Sequence, residues 1–325
     1  MRMRKNKKTA VFLMSGLLLA VFFAALLKGA VHMDFANLSE TDRDILLHVR
    51  LPRILLAGLV GASLTLAGVL FQYVMKNPLA DSFTTGVSAS SAMGAVIAIM
   101  LGLGTVLPLF ALGGGLLGLA AVYKISSVGG KVQPITMLLA GIVISTFASS
   151  VISLMKYLAD DSVASIIFWL MGGFQGASAK KAAVLFAVLT VSYLSTRRDC
   201  LSLDIICFDD TTAQSSGIDT NRLRRKAFFF AALLTAVSVG YAGIIGFVGL
   251  IVPHLVRLAQ FVKAKDLIPL SMLFGSAFMI GNDLIARTLL PEGQELSVGI
   301  ITSAIGGLFF LYLLTKRKRE LAYFD

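Results

Sequence analysis

TAVFLMSGLLLAVFFAALL, residues 9–27, carries no charged side chain over a length that crosses a bilayer as one helix. Such a run needs lipid, not water, as its solvent. A signal peptide is the alternative reading, but the run is long for one and more apolar runs follow it. Working outward, similar segments recur near 54–74, 86–107, 109–123, 134–158, 181–195, 227–245, 248–262, 267–287 and 297–315. They predict an all-α, polytopic membrane protein with about ten transmembrane helices, forming a single transmembrane domain over residues 1–325.

Composition points the same way. Of 325 residues, 57% are hydrophobic and only 14% charged, against roughly 25% charged in a soluble domain. That excludes an ordinary globular enzyme, and the high hydrophobicity excludes a disordered chain. Cys200 and Cys207 are the two cysteines. Their spacing matches no zinc or redox motif, so they read as reduced cytosolic thiols.

The net charge of +11 sits mainly at the ends of apolar runs, which favours membrane orientation over nucleic acid as its explanation. Arg2, Arg4, Lys5, Lys7 and Lys8 open the chain, and Lys316, Arg317, Lys318 and Arg319 nearly close it. Both termini are therefore expected in the cytoplasm, with an even number of crossings. Lys76, Lys124, Lys131, Arg197, Arg198, Lys263 and Lys265 then fall inside. Asp34, Glu40, Asp42, Asp44, Asp160, Asp161, Glu292 and Glu295 fall outside. Lys180 and Lys181 break the trend beside Trp169, and a short helix in the outer interface accommodates them. Gly58, Gly61 and Gly68 in one span, and Gly114 and Gly118 in another, predict close helix packing.

Residues 197–226, RRDCLSLDIICFDDTTAQSSGIDTNRLRRK, are too long and polar for a simple turn. Short helices that meet a cytosolic partner are expected there, with a solvated loop as the other reading. No catalytic constellation can be assembled. His32, His48 and His254 are far apart in sequence, and Gly130-Lys131, the only Gly-Lys pair, lacks the rest of a phosphate loop. His254 reads as a packed residue rather than a metal ligand, and no metal site is assigned. An ion-coupled carrier would place ionisable groups deep in the spans, at about 2.5–3.5 kcal/mol each. Such groups are few; Lys156 and Asp283 lie within apolar segments, both towards an outer end. Asp283 and Arg287 are spaced to meet on one helix face. Arg50, Arg53 and Arg287 fall on the outer side against the usual bias, which suits either docking of an acidic partner or anchoring at the interface.

Seven motifs, in order, resemble the FecCD type of permease subunit found in ATP-binding cassette (ABC) importers for iron chelates, haem and cobalamin. They are RLPR at Arg50–Arg53, NPLADS at Asn77–Ser82, GVSASSAMGA at Gly86–Ala95, LLAG at Leu138–Gly141, FWLMGG at Phe168–Gly173, GFVGLIVPHLVR at Gly246–Arg257 and ELSVGIITSAIGGLFFLYLL at Glu295–Leu314. The resemblance covers nearly the whole chain. It implies the type II importer fold with ten helices, a second permease copy as homodimer or close heterodimer, two cytosolic ATPases and an extracytoplasmic substrate-binding protein. ATP and Mg would sit on the ATPases, this chain being a transport subunit and not an enzyme.

By the same resemblance, Arg50, Arg53 and Arg287 would receive glutamates of the binding protein. Asp209, Asp210, Thr211, Thr212, Ala213, Gln214, Ser215, Ser216 and Gly217 would form the coupling helix seated in an ATPase groove. Asn77, Pro78 and Leu79 would form an inner gate. Gln133, Pro134, Ile135 and Thr136 depart from the small hydroxyl residues usual at a second gate. An iron siderophore is the expected cargo, with haem or cobalamin as the same-family alternative and an ion-coupled carrier as the alternative of another class.

Overall fold

The computed structural model describes residues 7–29, 39–128, 131–159, 162–291 and 293–321. Arg2, Arg4, Lys5, His32, Asp34, Gly130, Asp160, Asp161 and Glu292 lie outside the described residues, as do the side chains of Lys131 and Lys316 to Arg319.

Every apolar segment read from the sequence is a helix. In chain order the helices are α1 (Lys7–Leu27), α2 (Glu40–Asp44), α3 (Leu51–Val74), α4 (Val87–Met100), α5 (Leu107–Ser126), α6 (Pro134–Leu158), α7 (Val163–Leu170), α8 (Ala179–Arg197), α9 (Cys200–Phe208), α10 (Asp210–Ser215), α11 (Thr220–Ala242), α12 (Val248–Leu258), α13 (Ala264–Thr288) and α14 (Val298–Leu321). A π-helical turn, Ile45–Arg50, joins α2 to α3, and a two-residue antiparallel ladder pairs Ser127–Val128 with Lys131–Val132. A short helix, α7, does contain Trp169, but Lys180 and Lys181 lie in the first turn of α8.

α3 is the axis of the bundle, buried along nearly its whole length and packed by α11, α12 and α13. Hydrophobicity cannot drive this assembly in lipid, so close contact must. A Cβ on Gly61 would meet the Gly275 carbonyl of α13 at 2.2 Å, and one on Gly68 the Gly249 carbonyl of α12 at 2.0 Å. Only a missing side chain lets these backbones touch. α1 is the opposite case, a peripheral helix packed along one side on α13, with Ala25 its only buried residue.

Among the described residues seven helices, α3 being counted together with α2, are long and apolar enough to cross a membrane, while α4, α12 and the apolar part of α14 are shorter. The sequence expectation ran α4 to residue 107 and α12 over 248–262; both are cut by left-handed backbone. Gly86 (φ +78°) precedes α4 and Gly102 (φ +67°) follows it, while Phe247 (φ +68°) precedes α12 and Gln260 (φ +74°) follows. α12 starts beside Gly68, six residues short of the end of α3 and so about 9 Å inside it. The segment Gly243–Phe247 therefore runs non-helically into the bundle. Such backbone is tolerated at membrane depth only inside protein, and here Gly172 and Gly299 both pack on the Ile244 carbonyl.

Candidate functional site

Two clusters of polar residues stand at opposite ends of α3. At its first turn, Arg53 donates from Nε and Nη2 to Asp283 Oδ1 at 3.0 and 2.9 Å, and from Nη1 to both carboxylate oxygens of Glu295 at 3.0 and 2.8 Å. Arg287, one turn beyond Asp283 on α13, pairs with the second Asp283 oxygen at 3.0 Å. That is the contact the four-residue spacing predicts.

Arg50 and Arg287 also serve α1. The last carbonyls of a helix have no partner inside it. Arg50 donates to the carbonyls of Leu26 at 2.9 Å and Leu27 at 3.3 Å, and Arg287 to that of Ala25 at 3.4 Å. The positive charge also opposes the negative end of the helix dipole.

The sequence puts these three arginines on the outer side, for docking of an acidic partner or for anchoring at the interface. In the structure Arg50, Arg53 and Arg287 are only 4%, 6% and 3% exposed, Arg53 and Arg287 being paired with carboxylates of the chain itself and Arg50 bonded to carbonyls of α1. Their burial follows from their work in joining α1, α3, α13 and the segment before α14. Glu295, whose side chain is 21% exposed, is the solvent-facing member of the network. In the sequence Glu295 stands out only as an outer acidic residue and as the start of a family motif, because a partner so distant along the chain leaves no local signal.

At the other end, residues 197–226 fold into α9, α10 and the first turns of α11, which excludes the solvated-loop reading. Asp209 caps α10 by accepting the Thr212 N–H at 2.9 Å. Gly217 (φ +78°) closes the helix, with the Ile218 N–H bonded to the Ala213 carbonyl at 3.0 Å, the αL stop that glycine permits. Ala213 is buried, while Thr211, Thr212, Gln214, Ser215, Ser216 and Gly217 are exposed. α10 is thus a rigid, capped turn, fixed on one side and displayed on the other. Phe208, just before it, is 89% exposed.

Asp210 ties α10 to the bundle. Its Oδ1 accepts Arg224 Nη2 of α11 at 2.6 Å and pairs with Lys76 Nζ at 2.9 Å. Burial raises the Asp210 pKa, but the bonds and charges of Arg224 and Lys76 together outweigh it and hold the carboxyl below its ordinary value. The exposed Asp209 is lowered chiefly by the Thr211 hydroxyl that it accepts.

Lys76 (φ +50°) opens the turn that contains the expected gate. Asn77 Oδ1 accepts the Leu79 N–H at 2.9 Å in an Asx turn, which suits Asn before Pro78. Asn77 and Leu79 are half-buried and Pro78 is exposed. Between this turn, α9 and the end of α12 lies a cleft of about 560 Å³ lined by Tyr73, Asn77, Pro78, Phe208 and Arg257, among others. Tyr73 Oη donates to Asp204 Oδ1 at 2.9 Å, and Arg257 donates to Gln72. Residues 209–217 and the turn at Asn77–Leu79, far apart in sequence, are therefore joined through Lys76 and Asp210.

A family model described as the FecCD transport family matches residues 11–316. The cobalamin import system permease protein of Halobacterium salinarum is 36% identical over 281 residues, covering 86% of this chain and 75% of that one. A probable iron chelatin transport system permease protein of Helicobacter pylori is 32% identical over 275 residues, covering 84% and 83%. Among solved structures, one titled an inward-facing conformation of a putative metal-chelate type ABC transporter superposes with a TM-score of 0.87. Its identity is 30%, covering 95% of this chain and 99% of that one.

Proposed function

The chain belongs to the FecCD transport family and is a multi-pass membrane permease of an ABC importer, and from that premise we propose that it carries an iron chelate, a ferric siderophore first, across the cytoplasmic membrane. Both termini and α9–α10 then face the cytoplasm, in keeping with the basic residues at that end. Two cytosolic ATPases bind ATP and Mg, a second copy of the permease or a close relative completes the path, and an extracytoplasmic binding protein delivers cargo. The observation that carries this reading is the family match over residues 11–316, which runs from within α1 to within α14. Haem and cobalamin remain the same-family alternatives.

The geometry suggests how force would travel. Closure of the ATPase dimer moves the exposed face of α10. Asp210 passes that movement to Lys76 and so to the turn at Asn77–Leu79, biasing the bundle between its two openings. At the opposite end, docking of an acidic partner on Arg53 exchanges Glu295 for the partner's carboxylate.

Proteoliposomes holding the permease, its ATPase and its binding protein test this directly. Accumulation of a ferric siderophore, dependent on both ATP and the binding protein, is the expected result. Uphill uptake by the permease alone, driven by a proton or sodium gradient, would replace this reading with that of an ion-coupled carrier. Running haem and cobalamin in parallel assigns the cargo.

A further inference from the structure

The first turns of α11 carry more positive charge than the bundle uses. Arg224 points inward to Asp210, and Lys226 pairs with Asp199 at 2.7 Å. Arg222 and Arg225 are exposed, and neither forms an ion pair among the described residues. With Lys226 and Phe229 they recur at helical spacing on one face and, together with Asp219, line an open groove of about 560 Å³. Asp219 is engaged as the cap of α11, accepting the Arg222 N–H at 2.9 Å.

Two features fix the occupant. The Arg225 guanidinium lies over the Tyr123 ring at 5.7 Å from its centroid, which holds it in place without neutralising it. About 6 Å further along the helix the face turns apolar at the exposed Phe229. A cationic rim above an apolar wall, on a helix that enters the bilayer, is complementary to a phosphate with acyl chains attached. Guanidinium groups match phosphate oxygens with paired donors.

We propose that this groove binds the headgroup of an anionic phospholipid, with Arg222 and Arg225 on the phosphate and Phe229 against the upper acyl chain. The proposal rests on the chain spanning a membrane but not on its cargo or its energy source.

Native mass spectrometry of the full chain in detergent, titrated with phosphatidylglycerol or phosphatidylcholine, reads the preference without ATP or cargo, so it fails separately from the import reading. The intact chain should favour phosphatidylglycerol by about tenfold, and R222Q/R225Q should bring the ratio to about one. K180Q/K181Q, on the far end of the bundle, should leave it unchanged. If the double variant does not fold, R222Q alone, at an exposed position, should lower the ratio about threefold. An unchanged preference in R222Q/R225Q overturns the site. So does displacement of the lipid by millimolar inorganic phosphate, which would make it a free-phosphate site, or selective loss of ATPase binding with lipid preference intact.

Discussion

Arg53 and Glu295, 242 positions apart, form a two-bond pair at 2.8 and 3.0 Å that fastens the start of α3 to the segment before α14. The same guanidinium that would greet a partner's carboxylate is already holding one. An acidic binding protein must compete with Glu295, so removing that competitor should help it. Glu295→Gln is expected to tighten docking about fivefold, corresponding to about 1 kcal/mol of released hydrogen bonding. Surface plasmon resonance with the binding protein on nanodisc-held permease measures it; unchanged or weaker binding contradicts the exchange.

Asp283 is the shared counter-charge of Arg53 and Arg287 and is fully buried. Removing one partner of a buried pair strands the other charge, which typically costs about 3–5 kcal/mol. Asp283→Asn should lower the thermal midpoint far more than Glu295→Gln does. Equal midpoints for the two variants would mean that the network is only an ornament on the packing.

The contribution of Asp210 has a defined sign in pH. Its carboxyl is held below its ordinary value, so the stabilisation is complete above the ordinary carboxylate pKa of about 3.9 and fades as pH falls through the lower, folded value. Thermal midpoints of the wild type and Asp210→Asn should differ by a constant amount near neutral pH and converge in acid. A gap that widens on acidification would mean that Asp210 is not held as an anion by Lys76 and Arg224.

The ten apolar segments were legible because lipid demands long apolar helices, and Gly61 and Gly68 because small residues announce close approach. The early end of α12 at Leu258 was not, since the left-handed Gln260 follows inside the stretch read as one apolar segment and hydropathy cannot see φ. The Asp283–Arg287 contact could be read from its spacing, whereas Arg53–Asp283 and Lys76–Asp210 join residues that only the fold brings together. The stretch Asp209–Gly217 was placed by resemblance. Its tie to the turn beside Asn77 appeared only in three dimensions.

Close packing makes a further prediction. A side chain on Gly68 has nowhere to go against the Gly249 backbone, whereas Gly16 on the exposed α1 has nothing within 4 Å. Gly68→Val should cost about 3 kcal/mol, the upper part of the range for overpacking, and Gly16→Ala should be neutral or slightly stabilising. Thermal unfolding in one detergent compares them, and similar midpoints would refute the α3–α12 contact.

Coupling through α10 is the central claim, and exchanging residues 209–217 for a flexible Gly-Ser linker tests it most directly. In proteoliposomes with the ATPase and binding protein, the exchanged permease should still assemble and the complex should still hydrolyse ATP, while siderophore uptake falls to background. Uptake at the wild-type rate through that linker would contradict the account.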